Sequence, residues 1–495
     1  MSPSSRKVMR RITPVRGAIG GEGREAGTSL SQLSARPWDV IVIGGGNAAL
    51  VAALSAADKG ANVLLLERAP EVFRGGNTRH TRNVRCVHDG TDEHVTGSYL
   101  FDELWQDLCA IGDGPSNEKL ATITVRESEL LPRWMSAHGV HWQPALRGTL
   151  QLTRTNRFFL GGGKALVNTY YRTAATRAVT IAYDATVEDL LVTGERCTGV
   201  LVTQSGTSAE LRTGAVVCAS GGFEANVPWL REYWGAAAEN YIVRGARYND
   251  GLVLSALYRH GAAKAGQERG FHAIAVDARS PRYDGGIATR LDTIPFSIVV
   301  NRDARRFDDE GEDLWPKRYA TWGHKIALQA DQIAYSIWDA KVDHLFLPPL
   351  YPPLVGDSVS SLALHLGIDP VALQTTTAAY NASISDGGRF DTSGLDDCST
   401  RGLTPPKSHW ALKIDQPPFY GVPLRPGITF TYLGVAVDES ARVLRTDDSR
   451  FENIFAAGEI MSGNILSSGY LAGFGLTIGG VWGRIAGEEA TRAAL

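Results

Sequence analysis

Cysteine is scarce in this chain, and its five copies are not spaced to work together. Cys86, Cys109, Cys197, Cys218 and Cys398 contain no Cys-x-x-Cys pair. That argues against an iron–sulfur cluster carried by the chain itself. Scattered thiols in odd number suit the reducing conditions of a cytoplasm, where the protein is expected to reside. Long apolar runs are missing as well: none approaches the ~20 residues that a helix needs to cross a bilayer. Neither sign of charge dominates, since 50 basic residues face 53 acidic ones for a net charge of −3. With no dense basic cluster in the folded part, nucleic acid is not an expected partner. No repeat of solenoid period is present, and no metal site is expected.

Acids are rare over residues 1–37, where Arg6, Lys7, Arg10, Arg11, Arg16, Arg24 and Arg36 meet only Glu22 and Glu25. This stretch has no apolar core of the kind a signal peptide carries. A disordered extension, or a start codon placed too far upstream, is the expectation. An organelle transit peptide is the lesser alternative.

What is present begins at residue 38. Asp39-Val40-Ile41-Val42-Ile43 is a β-branched apolar run, as expected of a strand buried on both faces. It runs into Gly44-Gly45-Gly46-Asn47-Ala48-Ala49 and a helix of small residues, then a second apolar run ending at Glu67 and Arg68. Gly44 allows a tight strand-to-helix turn, and Gly46 lets the backbone approach a pyrophosphate. Asn47 and Ala48 open the helix, whose unpaired N–H groups face the phosphates, and Ala49 stands in for the third glycine. Glu67 is placed to take a ribose hydroxyl and to repel a 2′-phosphate. The pattern predicts a dinucleotide site and leaves FAD and NAD equally open. The 495 residues predict two or three domains.

Further along, Gly75-Gly76-Asn77-Thr78-Arg79-His80-Thr81-Arg82-Asn83-Val84-Arg85 places three arginines at a three-residue interval. If helical, the stretch would present Arg79, Arg82 and Arg85 on one face. That face is either a solvated surface or a clamp for a carboxylate, which arginine grips bidentately. Residues 99–139 read as helical. Gly161-Gly162-Gly163-Lys164-Ala165 lacks the first glycine and the Ser or Thr of a phosphate loop, so a close-approach turn is expected instead. A strand meander spans 182–219, with Val187 in its first hairpin about Thr193-Gly194-Glu195. It leads into a second glycine turn at Ser220 and Gly221. Residues 268–425 are richer in proline and tryptophan, with a non-helical Leu347-Pro348-Pro349-Leu350-Tyr351-Pro352-Pro353 connector, and read as an inserted domain. The last segment returns to strand and glycine.

Taken together, 40–67, 75–85, 219–226 and 456–487 resemble the flavoprotein subunits of the fumarate reductase and succinate dehydrogenase superfamily. Within it, the tricarballylate dehydrogenase branch is the nearest likeness. It is carried by Gly-Gly-Asn-Thr-Arg-His-Thr-Arg-Asn at 75–83, Arg-Phe-Asp-Asp-Glu-Gly-Glu-Asp at 306–313, Arg-Pro-Gly-Ile-Thr-Phe-Thr at 425–431, Gly-Asn-Ile-Leu at 463–466 and Gly-Tyr-Leu-Ala-Gly-Phe-Gly-Leu at 469–476. The resemblance implies an α/β fold: a Rossmann-like FAD-binding domain split into 38–267 and 426–495, with an α+β capping domain at 268–425. It implies FAD held by Gly44, Gly46, Glu67, Asn77, Thr78, Gly221, Gly458 and Glu459, with Ser467 and Leu471 close to the flavin ring; Gly76 and Ser220, beside them in the chain, are further candidate contacts. Relatives with covalent FAD carry a histidine where Asn77 stands, so the cofactor here should be non-covalent.

Departures from the dicarboxylate reductases point away from fumarate and succinate. Phe430 stands where their substrate-binding histidine falls and Tyr470 where a late arginine falls. Their proton-donating arginine falls near Leu314, with Lys317 and Arg318 as the nearest cations. The expected reaction is therefore desaturation of a small polycarboxylate such as tricarballylate, by proton abstraction and hydride transfer to the flavin. Electrons would pass to a separate iron–sulfur or membrane partner. Arg82, with Arg79 and Arg85, would grip carboxylates; His80 and His272 are candidate bases or substrate contacts, Tyr470 a substrate contact, and Arg306 a cap residue with a structural or catalytic role. A 3-ketosteroid Δ1-dehydrogenase-like enzyme, a flavoprotein of cobalamin-ring synthesis and a non-catalytic FAD-binding electron-transfer module are the alternatives.

Overall fold

Two β-sheets organise the chain in the computed structural model, which describes residues 29–145, 152–177 and 179–495. The first sheet has eight strands, and its parallel part runs in the spatial order Arg450–Ala456, Thr207–Cys218, Trp38–Ile43, Val63–Leu66, Val179–Ala182. Trp38–Ile43 lies in the middle, with Val40 opposite Val63 on one side and Ala215 on the other. Ile41 and Val42 are fully buried. Such a strand has helices on both faces, which is why its sequence shows no polar alternation. Ala185–Thr193 and Arg196–Gln204 form the antiparallel hairpin read from the sequence and continue into Thr207–Cys218.

The ends of the chain close this sheet together. Phe474–Ala494 packs along Asn47–Asp58, the helix that follows the first strand. Gly479, Gly483 and Gly487 recur at four-residue intervals on the contact stripe. A Cβ on Gly483 would lie 2.7 Å from the Ala48 carbonyl oxygen, and one on Gly487 2.3 Å from that of Ala52. Only bare backbone fits there, so the two helices approach more closely than larger side chains would permit.

The second sheet has six strands. Phe419–Thr431 is its spine, flanked by Phe271–Asp277 and Ala334–Asp339, with Ile298–Asn301 beyond and Leu354–Gly356 and Ile242–Val243 also pairing to it. The sheet thus draws strands from chain on both sides of residues 268–425. Backbone pairing sets that boundary, and composition does not display it. The tail of Phe419–Thr431 stays paired with Phe271–Asp277 to its last residue, and there Thr431 accepts from Phe223 N at 3.2 Å and donates to Glu459 Oε1 at 2.9 Å, which ties the second sheet to the turns that follow strands of the first.

The extension expected through residue 37 stops short of that point. Leu30–Leu33 is a short helix whose Leu33 is buried, and Trp38 Nε1 donates to the Leu33 carbonyl at 3.0 Å. Two apolar side chains next to a tryptophan are enough to pin it. The basic run from Arg6 to Arg24 lies outside the described residues. Among those described, no helix is long and apolar enough to cross a membrane.

Candidate active site

One cavity, open to solvent and about 1470 Å³ when the solvent in its mouth is counted, runs from the first glycine turn to the junction of the two sheets. At its nucleotide end, Gly44 turns the chain with φ of +118°, and a Cβ there would lie 2.3 Å from the Ala219 carbonyl oxygen. Gly46, Asn47 and Ala48 line the cavity at the start of Asn47–Asp58, so the positive end of that helix opens onto it. Thr78 Oγ1 accepts from Asn47 N at 2.9 Å, tying the Gly76–His80 turn to the helix start.

Glu67 ends the neighbouring strand and is buried. Its two oxygens accept from Ala69 N at 2.9 Å and Gly75 N at 3.2 Å. Burial raises its carboxyl above the ordinary range, against the pull of those donors. Gly45, which the motif passes over, proves as constrained as its neighbours. A Cβ there would meet Glu67 Oε2 at 2.1 Å and Tyr171 Oη at 2.2 Å. Arg68 pairs with Asp250 at 2.6 Å, and both line the same cavity with Val187, Ser220 and Gly221.

In the middle of the cavity Asn77 is held on every side. Its Nδ2 donates to Glu224 Oε1 at 2.6 Å and the Thr429 carbonyl at 2.7 Å, and its Oδ1 accepts from Ala246 N at 2.8 Å. Glu459 lines the wall beside it, with Oε1 accepting from Thr431 N at 2.9 Å. Gly76 and Gly458 complete this stretch.

The far end is where the second sheet meets the first. His272 and Phe430 are cross-strand partners, and His272 stacks on Tyr470. The His272 ring bonds the Ala320 carbonyl, leaving Nδ1 buried without a partner. Burial, then the Arg244 charge, holds it well below the ordinary histidine range, so it is neutral. Arg82 and Arg244 both line the cavity here. Arg82 leaves Nε and one Nη, and Arg244 its Nε, buried without an acceptor. Burial pushes each guanidinium down to about 10. The nearby Asp292 is already taken, bound to Arg290 at 2.6 Å and to Trp315 Nε1 at 2.6 Å. Among the described residues, no carboxylate forms an ion pair with Arg82 or Arg244.

Several expected residues lie elsewhere. The three arginines do not share a face, because Gly76–His80 is one 3-10 turn and Asn83–Arg85 is a strand paired to Asn156–Phe158. Arg79 lies over the Phe73 ring, and Arg85 is fully buried on Tyr99 Oη at 2.8 Å and the Ala472 carbonyl at 2.9 Å; only Arg82 reaches the cavity. Arg306 is not on the cavity either. It grips Glu310 through two bonds of 3.0 and 2.5 Å and caps the Pro405 carbonyl at 2.6 Å. Ser467 is buried and donates to the Gly114 carbonyl at 2.5 Å, and Leu471 is buried in the core beside Tyr470; neither lines the cavity. Lys317 pairs with Asp107 and Arg318 with Glu312, away from it. His80 does line it, but its Nε2 is bound to Asp284 at 3.0 Å. Arg244, Tyr319 and Glu224 carry no motif and went unread; they surface only when the strands are paired.

The parallel sheet, its glycine turn and the cavity that opens there define an α/β protein of the dinucleotide-binding class. Residues 39–476 match the FAD binding domain family, and the chain belongs to it. An NADH:fumarate oxidoreductase of Klebsiella pneumoniae is 26% identical over 93% of this chain. The chain spans 48% of that relative, about half its length. Among solved structures, the open conformation of a flavocytochrome c3 fumarate reductase superposes with a TM-score of 0.71 at 24% identity, covering 94% of this chain and 80% of that one. A 3-ketosteroid-Δ4-(5α)-dehydrogenase from Rhodococcus jostii gives 0.70 at 22% identity, covering 92% and 97%. At those identities the structures speak for the fold alone.

FAD is the cofactor of this family, and the cavity wall fits it. A helix N-terminus and a glycine turn with no room for a Cβ suit the diphosphate, a buried carboxylate at the strand end suits a ribose diol, and Asn47 Oδ1 is a buried acceptor without a donor.

Proposed function

We propose that the protein is an FAD-dependent oxidoreductase acting on a CH–CH bond, and that it desaturates a small polycarboxylate such as tricarballylate. The observation that carries this reading is the pair Arg82 and Arg244: two buried guanidiniums in one cavity, neither in an ion pair with a carboxylate of the described residues. An unpaired buried charge is costly, by several kcal/mol. Its persistence in a cavity wall implies a ligand that supplies the missing anions, and two such charges call for a ligand with at least two carboxylates. FAD, when bound, supplies the two-electron chemistry. The chain's own residues do the rest: the arginines orient the acid and stabilise charge that develops on its carboxylate when the neighbouring carbon loses a proton. Neutral His272, with Nδ1 free, is in the protonation state of an acceptor for that proton. Phe430 and Tyr470, rings 5.6 Å apart, exclude water from one side.

Non-covalent attachment follows from Asn77 at the position where relatives with covalent FAD carry histidine. In the same reading, reduced cofactor passes electrons to a separate acceptor protein, iron–sulfur or membrane-bound, and the protein works in the cytoplasm.

One observation favours a second reading. Tyr319 and Tyr470 both line the cavity, and paired tyrosines suit a 3-ketosteroid dehydrogenase-like enzyme. The test is anaerobic bleaching of the flavin by candidate substrates. Bleaching by tricarballylate or citrate-like acids, lost in Arg82→Met and Arg244→Met, supports the first reading. Bleaching by steroids alone would overturn it, and bleaching by no acid with FAD in place would leave a non-catalytic electron-transfer module.

A further inference from the structure

Glu224 stands behind the cavity wall, on the turn that follows Thr207–Cys218, and is fully buried. Its Oε1 accepts from Asn77 Nδ2 at 2.6 Å and Asn249 Nδ2 at 2.7 Å, while its Oε2 has no donor. Glu459, on the wall itself, meets the same Asn77 Nδ2 at 3.5 Å through its Oε2. Two carboxyl groups therefore converge on one amide nitrogen, and none of the groups acting on either is a cation. Two charges so placed in a dry interior repel strongly, and burial penalises each separately.

We propose that Glu224 is a positioning residue of the cofactor cradle: it and Glu459 hold one proton between them, and that proton keeps Glu459 and Asn77 in the arrangement that receives the dinucleotide. Burial raises both carboxyls above the ordinary range, Glu459 further because Glu224 adds its charge. The free Glu224 Oε2 is the atom left to accept a hydrogen bond from the Glu459 carboxyl. Loss of the proton would put a second negative charge into the wall of a site that binds a diphosphate, and would remove the bond that orients Glu459.

The neighbouring groups leave this proton to the pair. Tyr432 and Tyr470, both raised by burial, are neutral phenols. Arg244 donates to the neutral Thr429 Oγ1 at 2.9 Å and keeps its charge, but it is not among the groups that act on either carboxyl; His80 on Asn77's own turn is held by Asp284, and Arg68 by Asp250. Asn249 and Thr431 contribute only donors.

Infrared difference spectra of the FAD-loaded protein in water and deuterium oxide, with FAD affinity measured against pH, test the proposal. The parent protein should show the carbonyl stretch of a protonated carboxyl group at neutral pH, and Glu224→Gln should lose it, since the glutamine amide then donates to an ionised Glu459. FAD affinity of the parent should fall about tenfold per pH unit above the pair's upper titration step, and that of Glu224→Gln should not. Glu224→Ala should bind FAD at least about tenfold more weakly at neutral pH, with Glu224→Gln restoring it. A parent spectrum without a protonated carboxyl, or a Glu224→Gln variant that keeps the parent's pH profile, overturns the proposal. Glu67, buried at the nucleotide end with its carboxyl also raised, is a second source of such a band, so the band counts for the pair only where Glu224→Gln or Glu459→Gln removes it, and a parent without any such band overturns the proposal whether or not the variants fold. None of these measurements uses a substrate, so they stand or fall apart from the polycarboxylate reading.

Discussion

The imidazole of His272 lies flat on the phenol of Tyr470, ring centroids 3.7 Å apart and planes 9° from parallel. The two come from different elements, His272 from the second sheet and Tyr470 from the loop before the last helix. Their contact therefore seals the far end of the cavity at the junction of the sheets. It also keeps water from His272, which is why the ring remains neutral.

Removing that cover should return the ring to water. In Tyr470→Ala, the His272 titration followed by NMR should move up toward the ordinary value of about 6.5. The sign for stability follows. A histidine whose folded value lies below its unfolded one contributes stability that is present above about 6.5 and lost as pH falls towards the folded value. His80, His138 and His324 are lowered by burial as well. Denaturant unfolding at pH 7.5 and 5.5 should show the parent losing more stability on acidification than Tyr470→Ala, and the difference isolates His272.

Arg82 and Arg244 should separate binding from folding. Methionine keeps much of the volume and removes the unpaired charge. Each variant should bind a polycarboxylate at least about thirtyfold more weakly, the order expected when one side of a buried charge pair is lost. The same variants should unfold at a temperature no lower than the parent, because the ligand-free protein is relieved of a buried charge. A drop in stability with unchanged acid binding would remove both residues from the site.

Gly45 offers a test of the nucleotide end. Gly45→Ala places a Cβ against Glu67 and Tyr171, and the purified protein should lose most of its FAD. Gly60→Ala is the control. Nothing lies within 4 Å of its added Cβ, so only its φ of +91° resists the change. It should cost about 1 kcal/mol of stability and leave FAD content unchanged.

Arg306 belongs to the scaffold of the second sheet. Its side chain and that of Glu310 are 4% and 0% exposed. Arg306→Met should destabilise the protein by about 3–5 kcal/mol, through the charge stranded on Glu310. The folded fraction should bind FAD and acids as the parent does. Arg306→Met combined with Glu310→Leu should recover much of the loss. Weakened acid binding in soluble, FAD-loaded Arg306→Met would place this residue in the chemistry after all.

The nucleotide cradle was legible from the sequence because its parts are local. One strand, one turn and one helix place Gly44, Gly46 and Asn47, and the next strand must pair in parallel beside the first, which carries Glu67 to the same edge. The arginines of 79–85 were misread for the opposite reason. A three-residue interval points one way only while the backbone keeps one conformation, and here a 3-10 turn gives way to a strand between Arg79 and Arg85. Ser467 and Leu471 were expected close to the flavin on the strength of resemblance; both are buried, and neither lines the cavity.

Alone, the sequence determined the class of fold and the dinucleotide cradle, because apolar periodicity and glycine placement act over a few residues through the backbone itself. The tertiary structure decided the other end. Arg244 enters the cavity because Ile242–Val243 pairs with Gly427 and Ile428, distant in the chain, and Glu224 meets Glu459 only when two strands lie side by side. Whether a charged group is left without a partner depends on everything that folds around it, and no single stretch of sequence contains that sum.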